Sequence, residues 1–120
     1  MIIARFEKDE AKKEVRMSVS GHAESAPEGD DLVCAAASIL SYSLAQHFIN
    51  LANDKDMYYK PKTKLDKGNA KLSLRAKRCE GFAVLSMSCL PIYSGFVLLM
   101  ANYPENISVE GFGVTEKTAD

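Results

Sequence analysis

The sequence lacks an excess of charge of either sign. Its 120 residues include 15 lysines and arginines and 16 aspartates and glutamates, which gives a formal net charge of −1 at pH 7. No overall field would therefore hold the protein on a nucleic acid. The densest basic run contains Lys60, Lys62, Lys64 and Lys67, and we interpret it as part of a solvated hairpin loop. We expect no direct contact with nucleic acid.

Cysteine and histidine are also scarce. The three cysteines, Cys34, Cys79 and Cys89, form no CxxC pair, and the sequence has only two histidines. These numbers exclude a disulfide framework and give no basis for a structural zinc site. No signal peptide is recognisable before the first cysteine. The sequence predicts free thiols in a reducing cytoplasm, with no metal and no cofactor.

Uninterrupted hydrophobic runs are nearly absent. The longest apolar segment, residues 82–101, contains serines, a glycine and Pro91 and has no basic flank, so we expect no membrane span. It predicts a buried second helix that is kinked or broken near Pro91. A helix that is apolar on all sides has more surface than one small core covers, which predicts a homodimer.

The remaining sequence is typical of one globular domain over residues 1–120, because 47% of the residues are apolar and suffice for a core. Alternation and helical spacing predict strands over residues 1–7, 14–20, 57–60, 70–75 and 107–111 and helices over 31–51 and 82–101. The order is strand-strand-helix-strand-strand-helix-strand. It indicates an α+β fold of two layers with a mostly antiparallel sheet.

Cys34 is the candidate nucleophile. The turn at Gly29-Asp30 and an expected cap at Asp31 place Cys34 in the first turn of a helix. At such a terminus the unpaired N–H groups and the helix dipole favour a thiolate, and cysteine pKa values there fall from about 8.5 to roughly 3.5–7.5. A cysteine on an alanine-rich helix is nevertheless often inert packing, so the residues alone leave both interpretations open.

His22 is the candidate base, because the loop that follows it is long enough to fold back toward Cys34. Asp31 would cap the helix, orient His22, or do both. Ser38 lies one helical turn after Cys34, where its hydroxyl would hold substrate or a backbone carbonyl, or where the residue would simply pack. His47, in the middle of the first helix, is expected to be an ordinary helix histidine.

Two stretches, Gly21-His22-Ala23 and the run from Gly29 to Ser38, together resemble the signature of the ribosomal-processing cysteine protease family (Prp). Members of this family are small dimeric bacterial proteins that trim the N-terminal extension of ribosomal protein twenty-seven of the large subunit. The resemblance implies that Cys34 is the nucleophile and His22 the general base and acid. It gives Asp31 and Ser38 supporting roles and implies a peptide substrate.

Three hypotheses follow for the function. In the first, the protein is a cysteine endopeptidase in which the loop containing Ala23, Pro27 and Gly29 forms a mobile cover over the substrate. In the second, it is a non-catalytic, ribosome-associated dimeric binding module. In the third, it is a redox-sensing thiol protein, although no second cysteine lies close to Cys34 in the sequence.

Overall fold

The computed structural model describes residues 1–21, 30–66 and 68–112, except for the side chains of Asp30 and Asp31. The strands are β1 (Ile2–Asp9), β2 (Glu14–Ser20), β3 (Lys62–Asp66), β4 (Asn69–Arg75) and β5 (Ile107–Gly111). The helices are α1 (Asp30–Ala52), α2 (Cys79–Ser88) and α3 (Leu90–Asn102).

The strands form one sheet in the order β3-β4-β2-β1-β5. All neighbouring strands are antiparallel except β1 and β5, which are parallel. The strand β5 follows α3 in the sequence. The predicted α+β fold with a mostly antiparallel sheet is therefore confirmed. The helices cover one face of this sheet and leave the other face to solvent, as alternation along β2 predicts.

The core lies between the helices and the covered face of the sheet. The helical spacing read from the sequence is confirmed, since Val33, Leu44 and Phe48 of α1 are fully buried. On β1, the ring centroid of Phe6 lies 5.0 Å from the ring centroid of Tyr93 in α3. Such edge-to-face ring pairs add to the stabilisation from burial.

The strand predicted over residues 57–60 is wrong. Tyr58 makes only an isolated bridge to Ala76, and its hydroxyl donates a hydrogen bond to the carbonyl of Gly81 at 2.9 Å. The strand that pairs with β4 follows Pro61, which has no N–H to donate to a ladder. Its residues are exposed and mostly polar because β3 is an edge strand, so hydrophobic alternation does not reveal it.

The second predicted helix is broken into α2 and α3, which confirms the predicted break near Pro91. The chain bends at Cys89, and Pro91 lies in the first turn of α3, where a missing N–H costs nothing. The helix is also less buried than expected. Met87 is 68% exposed and Leu98 is 64% exposed, so part of the apolar surface has no partner within the described chain.

Two helical stretches, Leu32–Ala52 and Cys79–Asn102, are long and apolar enough to cross a membrane by length and composition. The second stretch contains the break at Cys89. Core helices of soluble proteins satisfy the same criterion, so this finding is weak evidence of a span. The absence of a membrane span stays a prediction.

His47 joins α1 to α2. Its Nε2 lies 2.7 Å from the hydroxyl oxygen of Ser88, which agrees with the expected role of an ordinary helix histidine. Burial lowers the pKa of His47 from its usual value of 6.5, because desolvation disfavours the imidazolium. The folded protein therefore takes up this proton less readily than the unfolded chain.

We expect this difference to make the protein less stable in acid. As the pH falls below about 6.5, His47 of the unfolded chain becomes protonated, whereas His47 of the folded protein stays neutral. The free energy of unfolding therefore decreases until the pH has fallen below the pKa of His47 in the folded protein. The effect should be below about 1 kcal/mol per pH unit, since His47 is partly exposed and water screens it. Urea unfolding of wild type and His47→Gln at pH 7.5 and 5.5 tests this. Equal losses in the two proteins would contradict it.

Candidate active site

A cavity of about 400 Å³ opens on the helix side of the sheet. Three parts of the chain form its walls: the ends of β1 and β2, the first half of α1, and the turn between β3 and β4. Ile2, Val19 and Leu65 supply apolar surface, while Ser38 and Asn69 supply polar groups. Clefts of this size with a few polar groups in an apolar wall are typical of ligand sites.

Cys34 lies in the wall of this cavity. It is the fifth residue of α1, is half-buried, and packs against the core. Because α1 begins at Asp30, Asp31 is the second helical residue and not the N-cap that the sequence predicts. An acidic residue in the first helical turn still interacts favourably with the positive end of the dipole. The N–H groups that lack an intrahelical acceptor belong to residues 30–32, so Cys34 follows the first turn and does not lie within it as the sequence predicts.

The structure brings two predicted site residues together. Ser38 is exposed, lies one turn after Cys34, and lines the same cavity. Beside it, the hydroxyl of Ser41 is buried and donates a hydrogen bond to the carbonyl of Ala37 at 2.8 Å. Ser38 therefore lies in the cavity wall beside Cys34, while the hydroxyl of Ser41 is committed to the helix.

The other predicted site residues lie outside the described part of the chain. They are His22, Ala23, Pro27 and Gly29, together with the side chain of Asp31. The pairing of His22 with Cys34 and the covering loop therefore stay predictions. Gly21, the residue directly before His22, is described and lines the Cys34 cavity.

Gly21 is held at the cavity wall by its backbone. Its N–H donates a hydrogen bond to the carbonyl of Gly68 in the β3–β4 turn at 3.0 Å. Its φ is +96°, and a Cβ at this position would lie 2.3 Å from the carbonyl oxygen of Met1. Only glycine adopts this conformation without strain. The backbone directly before His22 is therefore held in place beside the cavity.

Sequence reasoning missed several residues of the cavity. Tyr42 lies two turns after Cys34 and one after Ser38, so helical spacing alone could have found it. Asp66 and Asn69 flank the β3–β4 turn. No local signal places them near Cys34, because they reach it only through the pairing of β3 with β4 and of β4 with β2.

The other two thiols differ from Cys34, since neither lines the cavity. Cys89 is fully buried, and burial raises its pKa to about 12, which keeps it protonated and inert, as expected for a structural cysteine. Cys79 is exposed at the start of α2. It provides a matched control for experiments on Cys34.

Comparison with known proteins identifies the family. The family model described as cysteine protease Prp matches residues 1–108. The chain belongs to the Prp family of cysteine proteases. This match covers both stretches that carry the predicted signature, and it confirms the predicted family and enzyme class. A comparison with curated protein sequences found no significant match.

Solved structures agree with the Prp fold. The ribosomal processing protease Prp from S. aureus, with a covalently linked product peptide, has a TM-score of 0.63 and 22% identity over 92% of this chain and 98% of that one. The same protease with a substrate peptide has a TM-score of 0.66 and 18% identity over 92% of this chain and 100% of that one. A Streptococcus mutans protein has a TM-score of 0.62 and 23% identity over 92% of each chain.

Proposed function

We propose that this Prp-family protease acts in the cytoplasm and removes the N-terminal extension of ribosomal protein twenty-seven of the large subunit. The observation that carries the proposal is the position of Cys34, which lies in a cavity wall directly after the first turn of α1. The relative from S. aureus is a ribosomal processing protease and has been solved with substrate and product peptides. Those complexes support a peptide substrate for this chain.

The proposed reaction begins with transfer of the Cys34 thiol proton to His22. The thiolate attacks the scissile carbonyl, and a tetrahedral oxyanion forms that the N–H groups of residues 30–32 stabilise. When the C–N bond breaks, the His22 imidazolium gives its proton to the leaving amine and a thioester remains. His22 then removes a proton from water, and the hydroxide attacks the thioester carbonyl. The C–S bond breaks, the product leaves with a new carboxyl group, and the His22 imidazolium returns its proton to the Cys34 thiolate. The covalently linked product of the S. aureus relative supports such an intermediate.

The cavity suits an apolar stretch of extended peptide. Ile2, Val19 and Leu65 offer contacts to large apolar side chains, and the cavity volume of about 400 Å³ accommodates them. Ser38 and Asn69 are polar residues of the cavity wall that offer hydrogen-bonding groups for the backbone of a bound peptide. This composition favours substrates with large apolar side chains.

The test is incubation with a synthetic peptide that spans the N-terminal extension of the organism's own ribosomal protein twenty-seven. Mass spectrometry should detect one cut, and Cys34→Ala should make none, whereas Cys79→Ala should cleave like wild type. A scrambled peptide of the same composition serves as the substrate control. Binding of the peptide without cleavage would overturn the proposal in favour of the non-catalytic binding module.

We also propose that the protein is a homodimer that buries the exposed apolar side chains of its helices. Ile39 and Ile49 of α1 are each at least 46% exposed. Leu98 of α3 is 64% exposed. Apolar surface of this extent on a small chain is typical of an interface.

Two neighbouring leucines of α3 test the dimer. Leu98 is exposed, whereas Leu99 packs against the core. Leu98→Glu is therefore expected to give a folded monomer, and Leu99→Glu to lower the free energy of unfolding by at least about 2 kcal/mol because it buries a charge. Light scattering after size exclusion and urea unfolding measure the two effects. A monomeric wild type at about ten micromolar would contradict an obligate dimer.

A further inference from the structure

The face of the sheet that points away from the helices carries a basic groove. This groove is a cavity of about 470 Å³ whose lining includes four cationic residues, Arg16 from β2, Lys62 and Lys64 from β3, and Lys71 from β4, and one acidic residue, Glu7 from β1. Ser18 and Ser73 lie between these cations. The groove is on the opposite side of the sheet from Cys34.

Strand register brings these cations together. Lys64 pairs directly with Lys71, and Lys62 pairs with Ser73, which in turn pairs with Arg16. Directly opposed residues in an antiparallel pair share one face of the sheet. The residues between them in sequence, such as Leu72, are buried under the helices. Two neighbouring rows of cross-strand partners, one with Arg16 and Lys62 and the other with Lys71 and Lys64, therefore present four cations to solvent.

Most of this positive charge is not neutralised. Arg16 lies 3.4 Å from Glu7 and 2.7 Å from Glu14. Lys62, Lys64 and Lys71 form no ion pair within the described part of the chain. A like-charge pair such as Lys64 and Lys71 costs stability, and a ligand with regularly spaced negative charges would relieve that cost.

We propose that the basic groove binds the phosphate backbone of folded RNA. The choice of RNA rests on the proposed function, because a ribosomal-protein substrate is surrounded by RNA. Lysine ammonium and serine hydroxyl groups are standard donors to phosphate oxygens. No aromatic side chain is among the described residues that line the groove, so it offers no platform for base stacking. The contact is therefore to the backbone and independent of sequence.

This proposal reverses the expectation drawn from net charge. A net charge of −1 is a sum over the whole surface, whereas binding depends on the local field. The fold concentrates three unpaired lysines on one face. It also leaves the Cys34 cavity free on the other face, so RNA and peptide would bind at the same time without competing for space.

The test is fluorescence anisotropy with a labelled RNA hairpin. Wild type should bind, and its affinity should fall roughly 40-fold between 50 and 200 mM salt, as expected for about three phosphate contacts on a duplex. The triple variant Lys62→Gln, Lys64→Gln, Lys71→Gln should bind at least about tenfold more weakly with a much smaller salt dependence. Its melting temperature should equal or exceed that of wild type, because a like-charge pair is removed.

The matched control is Lys8→Gln, Lys12→Gln, Lys55→Gln, which removes the same charge outside the groove and should bind RNA nearly as wild type. Equal loss in both triple variants would overturn the proposal. So would preferential binding of an acidic peptide or of phosphatidylserine vesicles over RNA. Cleavage of the isolated peptide should be unchanged in the groove variant, so failure of RNA binding is distinguishable from failure of the proposed function.

Discussion

Cys34→Ala is expected to abolish peptide cleavage and leave the fold intact. Alanine removes the nucleophile, and the rate should fall by a factor on the order of 10⁴ or more. Cys34 is half-buried at the cavity wall, so its truncation costs little packing. Circular dichroism and urea unfolding check the fold, and the rate is measured with the ribosomal-protein peptide.

His22→Ala should cause a loss of similar size, because the thiol then has no proton acceptor. The two losses should not add, since residues that act as one unit cost nearly as much singly as together. The exposed Cys79 gives the control, and Cys79→Ala should retain the full rate. Cleavage by Cys34→Ala at the wild-type rate would contradict the covalent mechanism. A double variant that is far slower than either single variant would mean that Cys34 and His22 act separately.

Gly21→Ala is expected to destabilise the fold and to impair cleavage by the molecules that remain folded. The left-handed conformation alone costs an alanine about 1–2 kcal/mol. In addition the new Cβ would lie 2.3 Å from the Met1 carbonyl oxygen, and the Met1 backbone is held through the hydrogen bond from the Ile2 N–H to Asn106 at 2.8 Å. The combined loss should be at least about 2 kcal/mol of unfolding free energy.

The activity effect has a separate cause, because relief of this clash would move the segment that carries His22. kcat/KM per folded molecule should therefore fall as well. Gly95→Ala is the matched control. A Cβ there would meet the flexible end of Leu40 at 2.9 Å, and alanine favours the helix, so stability should change by less than about 1 kcal/mol. If Gly21→Ala and Gly95→Ala were equally stable and active, Gly21 would have no special role.

Local sequence signals determined most of the secondary structure of this protein. Alternation gave β1, β2, β4 and β5, and helical spacing gave the buried face of α1 that includes Val33, Leu44 and Phe48. These elements each bury one face, so their period appears directly in the sequence. The spacing of Cys34 and Ser38 likewise follows from one helix, and both line one cavity.

Only the tertiary structure decided the features that depend on long-range pairing. Edge strand β3 buries no face of its own, so its exposed residues carry no alternation. Its register with β4 sets Lys64 against Lys71 on one face and brings the pair Leu65 and Ala70 to the Cys34 cavity on the other face. Local propensity reports how one segment folds, whereas a site assembled from several segments exists only after those segments have paired.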